Sequence, residues 1–255
     1  MTTVDPSEKS GSHERYWEID LLRGTAVLMM IAFHFVFDLN FLRIYKVQVY
    51  SGWLGVFAYT IGTMFLLLVG VSLTISYRRA KGHLESTQLG WKYSKRGLEI
   101  FGLGIVITAV TLVYPGNGFV VFGILHCIGL SIIISYLLLP YKWLSLAIGA
   151  MIVALGIIVV QRTYSLPWLV WLGFAPHGFY SIDYFPILPW LGVVLIGIFI
   201  GNMVYPDRVQ VLRKVNTDRV PLTRPIRYLG QHSLVIYLLH QPILFAILYP
   251  LATSI

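Results

Sequence analysis

The chain has 255 residues, 57% of them hydrophobic and 12% charged, with a net charge of +8 and a mean hydropathy of +0.75. Soluble domains carry about twice that share of charge, so the composition excludes an ordinary soluble enzyme and specifies an integral membrane protein. The excess of cations is not a nucleic-acid footprint, because they are gathered in loops between apolar segments, where they set topology.

The N-terminal tail, residues 1–16, is polar and of mixed charge, and the first apolar segment has no small-residue cleavage site, so no signal peptide is expected to be removed. Residues 17–255 read as a single transmembrane domain. Apolar segments at 19–39, 54–77, 95–114, 119–139, 143–161, 186–204 and 231–252 approach or reach the roughly 20 residues needed to cross about 30 Å of hydrocarbon. The expected fold is an all-α polytopic bundle of about seven spans, eight if 166–174 also crosses. That tryptophan-containing stretch is short and reads as an interfacial or re-entrant piece. Loop by loop, seven spans place fifteen basic residues on one side with the N-terminus and three, Arg43, Lys46 and Arg162, on the other. The positive-inside rule then orients the N-terminus to the cytoplasm and the C-terminus outside, in a multi-pass protein of the plasma membrane.

The first span carries the chemistry that most needs explaining. Asp20, Arg23, His34 and Asp38 occur within one apolar helix. At 100° per residue the eleven-residue step from Arg23 to His34 returns to within about 20° of the same direction, with both aspartates about 60° away. Ionisable groups in a bilayer cost several kcal/mol, and they face a bundle interior or a wet cavity. Arg23 and His34 lie about 16 Å apart along the axis. They would serve two ends of one long ligand, unless Arg23 is simply a snorkelling arginine paired with Asp20.

His126 and His240 fall in later spans at depths near that of His34. Three imidazoles at one level are open to metal binding, proton relay or acid–base catalysis. No His-x-x-His or His-Glu-x-x-His spacing supports a metal, and none is expected. Asp38, one turn beyond His34, either orients its imidazole or simply caps the outer end of the helix near water. Gln241-Pro242 after His240 suggests a local break that frees a carbonyl. In the stretch 178–185, Tyr180, Asp183 and Tyr184 combine aromatic planes with a carboxylate, which suits a sugar as well as an interfacial belt. The lone Cys127 excludes an intrachain disulfide.

Asp20-Leu-Leu-Arg-Gly-Thr-Ala followed by His34 resembles the Arg-x10-His signature of the membrane-bound acyltransferase-three superfamily. Residues 62–72 with Arg78-Arg79, and 229–242 ending Tyr-Leu-Leu-His-Gln-Pro, resemble its second helix and late element. The stretches 122–129 and 178–186 are most similar to the prokaryotic membrane proteins related to the heparan-α-glucosaminide N-acetyltransferase catalytic domain. The resemblance implies acetyl transfer from acetyl-CoA on the cytoplasmic side to a hydroxyl or amine of a saccharide or glycolipid-like acceptor. It implies Arg23, with the basic residues Arg78, Arg79 and Arg96, for the donor. His34 would be the base, with His126 or a backbone dipole at the oxyanion and Asp38 and His240 completing the catalytic set. Tyr180, Asp183, Tyr184 and Gln241 would meet the acceptor. The loop 40–52 has no histidine, whereas the lysosomal relatives carry a functional one there. The expected partners are donor, acceptor and lipid, not nucleic acid, with a homodimer left open. A proton-coupled transporter or flippase using the buried histidines is the alternative.

Overall fold

A computed structural model describes residues 16–205 and 222–253. The helices are α1 (Trp17–Phe41), α2 (Gly52–Lys81), α3 (Ser86–Val113), α4 (Ile124–Ser135), α5 (Lys142–Val160), α6 (Ile187–Val204), α7 (Thr223–Gln231) and α8 (Ser233–Ala252). Six of them, α1, α2, α3, α5, α6 and α8, are long and apolar enough to cross a membrane, so the protein is a polytopic helical bundle. The tail and the stretch 206–221, with the basic residues Lys9, Arg15, Arg208, Arg213, Lys214 and Arg219, lie outside the described residues.

Three expectations are corrected. The span expected at 119–139 is shorter, running as α4 and a 3-10 turn, Tyr136–Leu138. Residues 118–122 are non-helical and tied to the loop before α6: Ile182 N–H donates to the Gly118 carbonyl at 2.8 Å and Phe185 N–H to that of Phe122 at 2.9 Å. α4 therefore starts only at Ile124, whose N–H donates to Asp183 Oδ2 at 3.0 Å. In the expected 78–96 loop, α3 already starts at Ser86, because the Gln88 side chain accepts the Glu85 N–H at 3.1 Å, one half of a capping box. In the expected 205–230 loop, α7 is a helix packed on α1 backbone to backbone: a Cβ on Gly24 would strike the Ile226 carbonyl, and one on Gly230 the Asp20 carbonyl. The segment 166–174 does not span; it holds a 3-10 turn, Pro167–Leu172.

Small residues set the other helix contacts. Gly97 and Gly129 bring α3 and α4 into antiparallel contact, each lying where a Cβ would meet the other helix's backbone. α2 and α6 run parallel, tied by Thr74 Oγ1 to the Ile198 carbonyl and Arg78 to Asn202 and Tyr205. The main core lies among α2, α3, α4 and α6, around Leu66, Leu73, Tyr93, Cys127, Ile132, Val194 and Ile198.

α8 packs on the other flank of α1. It runs parallel to it, since His34 meets His240, Asp38 meets Gln241 and Phe41 meets Phe245. α1 therefore begins, and α8 ends, at opposite ends of the bundle. One end collects Arg23, Arg78, Arg79, Lys92 and Arg96; the other holds the aromatic loops 42–51 and 173–186. They are called here the basic end and the aromatic end.

Candidate active site

At mid-bundle the rings of His34 and His240 lie 4.7 Å apart, edge to face. The Gln241 amide donates to Asp38 Oδ1 at 2.6 Å. Asp38 is fully buried, and His240 is buried too. Four buried polar atoms in this cluster have no hydrogen-bond partner: His34 Nδ1, His240 Nε2, Asp38 Oδ2 and Gln241 Oε1. Buried polar groups are almost always paired, so such a cluster is a candidate place for a ligand or water. His240 Nδ1 faces the Tyr237 carbonyl, which can only accept. Nδ1 therefore carries the proton, and in the neutral ring Nε2 holds the lone pair. α8 continues through Pro242 rather than breaking, and the proline removes the donor that the Leu238 carbonyl would use.

Of the histidines singled out from the sequence, the structure joins His34 and His240 and holds His126 elsewhere. His126 Nδ1 accepts the Gly123 N–H at 3.2 Å, and Nε2 faces Thr108 Oγ1 at 3.5 Å. Its ring packs against Phe101 and Phe122 with centroids 5.1 and 5.3 Å away, and a Cβ on Gly104 would press on it. Asp38 is bonded to Gln241, not to His34 as the one-turn spacing suggested.

At the basic end a cleft of about 480 Å³ is lined by Arg23, Arg79, Lys92 and Arg96, with Tyr16, Ser72 and Ser76 among its other walls. Arg23 sits 3.7 Å from Asp20 and also donates to Ser72. The Arg79 guanidinium lies 5.0 Å over the Tyr16 ring. Arg78 is directed away: it donates to Asn202 Oδ1 at 2.9 Å and to the Tyr205 carbonyl at 3.2 Å, tying α2 to α6. Four cations on three helices around one cleft suit a ligand with several phosphates. Lys92, one turn before Arg96, counts in the sequence only as one of the several cations of the 78–96 loop.

At the aromatic end the predicted acceptor residues separate. Tyr180 lines a second cleft, of about 340 Å³. The Tyr184 hydroxyl donates to the Val170 carbonyl at 2.8 Å and so pins the 3-10 turn. Asp183 caps α4 and also receives the Tyr237 hydroxyl. Burial pushes its carboxyl up to about 6, against the pull of those two donors. Tyr237 thus touches both the Asp183 carboxylate, through its hydroxyl, and His240, through its carbonyl.

Comparison with known families decides the class. The model for heparan-alpha-glucosaminide N-acetyltransferase, catalytic, matches residues 15–242. The chain belongs to this family. No curated protein and no solved structure matches it. As a member of the heparan-alpha-glucosaminide N-acetyltransferase catalytic family, the protein is in general terms a transmembrane acetyltransferase. The matched region includes the cationic cleft and both buried histidines of the cluster. Proteins of this family use acetyl-CoA as donor in general, and among the described residues no group of three or more His, Cys, Asp or Glu side chains is placed to hold a metal ion.

Proposed function

We propose that the protein carries an acetyl group from acetyl-CoA at the basic end to a primary amine of a saccharide that enters from the aromatic end. The basic end faces the cytoplasm in this reading, the membrane is the plasma membrane, and the C-terminus is outside. Arg79, Lys92, Arg96 and Arg23 hold the donor's phosphates, while its pantetheine arm covers the roughly 16 Å from Arg23 to the depth of His34.

One observation supports an amine over a hydroxyl. The orphaned atoms of α8 and Asp38 are all acceptors: His240 Nε2, Gln241 Oε1 and Asp38 Oδ2. Three acceptors match the three N–H donors of an ammonium group, and a buried carboxylate with one hydrogen bond is costly until a cation joins it. His240 Nε2 takes one proton from the ammonium, which frees the nitrogen lone pair. A C–N bond then forms at the thioester carbonyl as the C–S bond breaks, and the imidazolium returns its proton to the departing sulfur. The second amine proton leaves to solvent, and amide and thiol are the products. His34, edge-on to His240, packs the base in place.

Calorimetry of acetyl-CoA on the protein in nanodiscs, followed by acetyl transfer to glucosamine and to glucose, tests the proposal. Binding with transfer to glucosamine alone is expected. Absence of donor binding overturns the enzyme reading, and proton flux in liposomes would then favour transport. Transfer to glucose with glucosamine inert overturns the amine.

A further inference from the structure

The cleft at the aromatic end lies between two loops and over the last turns of α1. Phe37, Asn40 and Phe41 come from α1, Gln48 and Tyr50 from the loop 42–51, and Tyr180 from the loop before α6. Its volume of about 340 Å³ is at the small end of ligand pockets, about 300–1,000 Å³, enough for one ring. The aromatic walls are braced. The Tyr50 and Tyr180 rings meet edge to face at 6.5 Å and their hydroxyls share a hydrogen bond. Tyr180 lies over Gly118, whose φ of +73° and lack of a Cβ leave room for the ring.

The cleft presents two side-chain amides beside the hydroxyls of Ser51, Tyr50 and Tyr180. Asn40 Oδ1 accepts the Val47 N–H at 3.0 Å, and Gln48 Oε1 accepts the Ser51 hydroxyl at 2.9 Å. Both amide oxygens are engaged, which leaves the two NH2 groups as donors toward the cleft. No charged side chain lines it. Phe37 also lines the cleft, and its ring centroid is 6.1 Å from that of Tyr50 and 6.0 Å from that of His34. One aromatic ring thus touches both the cleft's wall and the His34–His240 pair.

Resting on the proposed transfer to a saccharide amine, we infer that this cleft is a second sugar subsite that takes an uncharged hexose ring linked to the amino sugar. The hexose stacks on Tyr50 and Tyr180 and accepts hydrogen bonds from Asn40 and Gln48 through its ring and hydroxyl oxygens. A uronic acid or sulfated ring is disfavoured, because its anion would lose water among Phe37, Phe41, Tyr50 and Tyr180 with no cation in the lining.

Two measurements test the subsite. The first compares kcat/KM for glucosamine, for a glucosamine–hexose disaccharide and for a glucosamine–uronic acid disaccharide. At least tenfold preference for the neutral disaccharide is expected, with the ratio falling toward one in Tyr180→Ala and in Gln48→Ala. Equal kcat/KM for the three acceptors, a preference for the uronic acid, or a ratio unmoved in both variants overturns the subsite. The second is calorimetry with cellobiose, which has no amine to acetylate. Binding lost in Tyr180→Ala supports the subsite even if no acetylation occurs; no binding to the parent overturns it. Donor binding by the same samples reports separately on the transfer reading.

Discussion

Two polar regions lie within the same bundle and are built on opposite terms. Around α3 and α4, His126 has both ring nitrogens engaged, and the Asp183 carboxylate takes a backbone N–H and a tyrosine hydroxyl. Between α1 and α8, His34, His240, Asp38 and Gln241 each keep a buried atom with no partner. The first region has its hydrogen bonds satisfied, one of them by Tyr237 of α8, and holds elements together. The second keeps unpaired polar atoms, which is what the proposed reaction site requires. Residue type does not separate the two, since each has histidine and aspartate; hydrogen-bond satisfaction does.

Breaking the second region should have the largest effect. His240→Ala removes the proposed base, and turnover should fall by about 10²–10⁴ while thermal melting in detergent stays near that of the parent. Retained turnover would move the base to His34. Asp38→Asn keeps an oxygen for Gln241 but loses the charge, so kcat/KM for an amine should drop roughly tenfold to a hundredfold, the scale of a charge-assisted hydrogen bond of about 1.5–3 kcal/mol. An unchanged value would exclude Asp38 from amine binding.

The first region should respond the other way round. His126→Ala strands the Gly123 N–H and opens a void beside Gly104, so stability should fall by roughly 1–3 kcal/mol. Turnover per folded molecule should change by only a few-fold, and a large loss of turnover at unchanged melting temperature would erase the contrast. The smallest effect belongs to Asp183. Its folded carboxyl is near 6, above the ordinary value of about 3.9, so the folded state holds the proton more tightly than the unfolded chain. The stability this proton gives is full below about pH 4 and is lost as pH rises through about 6. Asp183→Asn should flatten that part of the pH–stability profile and should melt no lower than the parent at pH 7.5. A steeper slope in the variant would show that the carboxylate, not its burial, governs the cap.

The sequence made the architecture legible wherever a segment was long and uniformly apolar, as in α1, α2, α5 and α6. It failed where helices are short or polar. α7 is too polar and too brief to register as a span, and its close packing on α1 depends on the bare backbone of Gly24 and Gly230. α4 read as five residues longer at its start because Val120, Val121 and Phe122 are apolar in either conformation. In the site, the stripe from Arg23 to His34 followed from helical periodicity alone. That Gln241 meets Asp38, and that His126 is internally satisfied, depends on which helices become neighbours, and one sequence carries no such information. Asn40, Gln48 and Tyr50 were passed over for the same reason: in the sequence they are ordinary loop residues.

The short α4 constrains how the loops beside it fold. Its twelve α-helical residues rise about 18 Å, well under the roughly 30 Å of acyl chain in a bilayer leaflet pair. The 3-10 turn Tyr136–Leu138 adds to that at one end, and at the other the chain before Gly123 is non-helical backbone, whose carbonyls and amides cannot face lipid and must face protein or water. Here they face protein, since Ile182 and Phe185 of the loop before α6 pair with Gly118 and Phe122. The two loops must therefore fold as one unit, because parting them would strip both of the partners that backbone needs beside acyl chains.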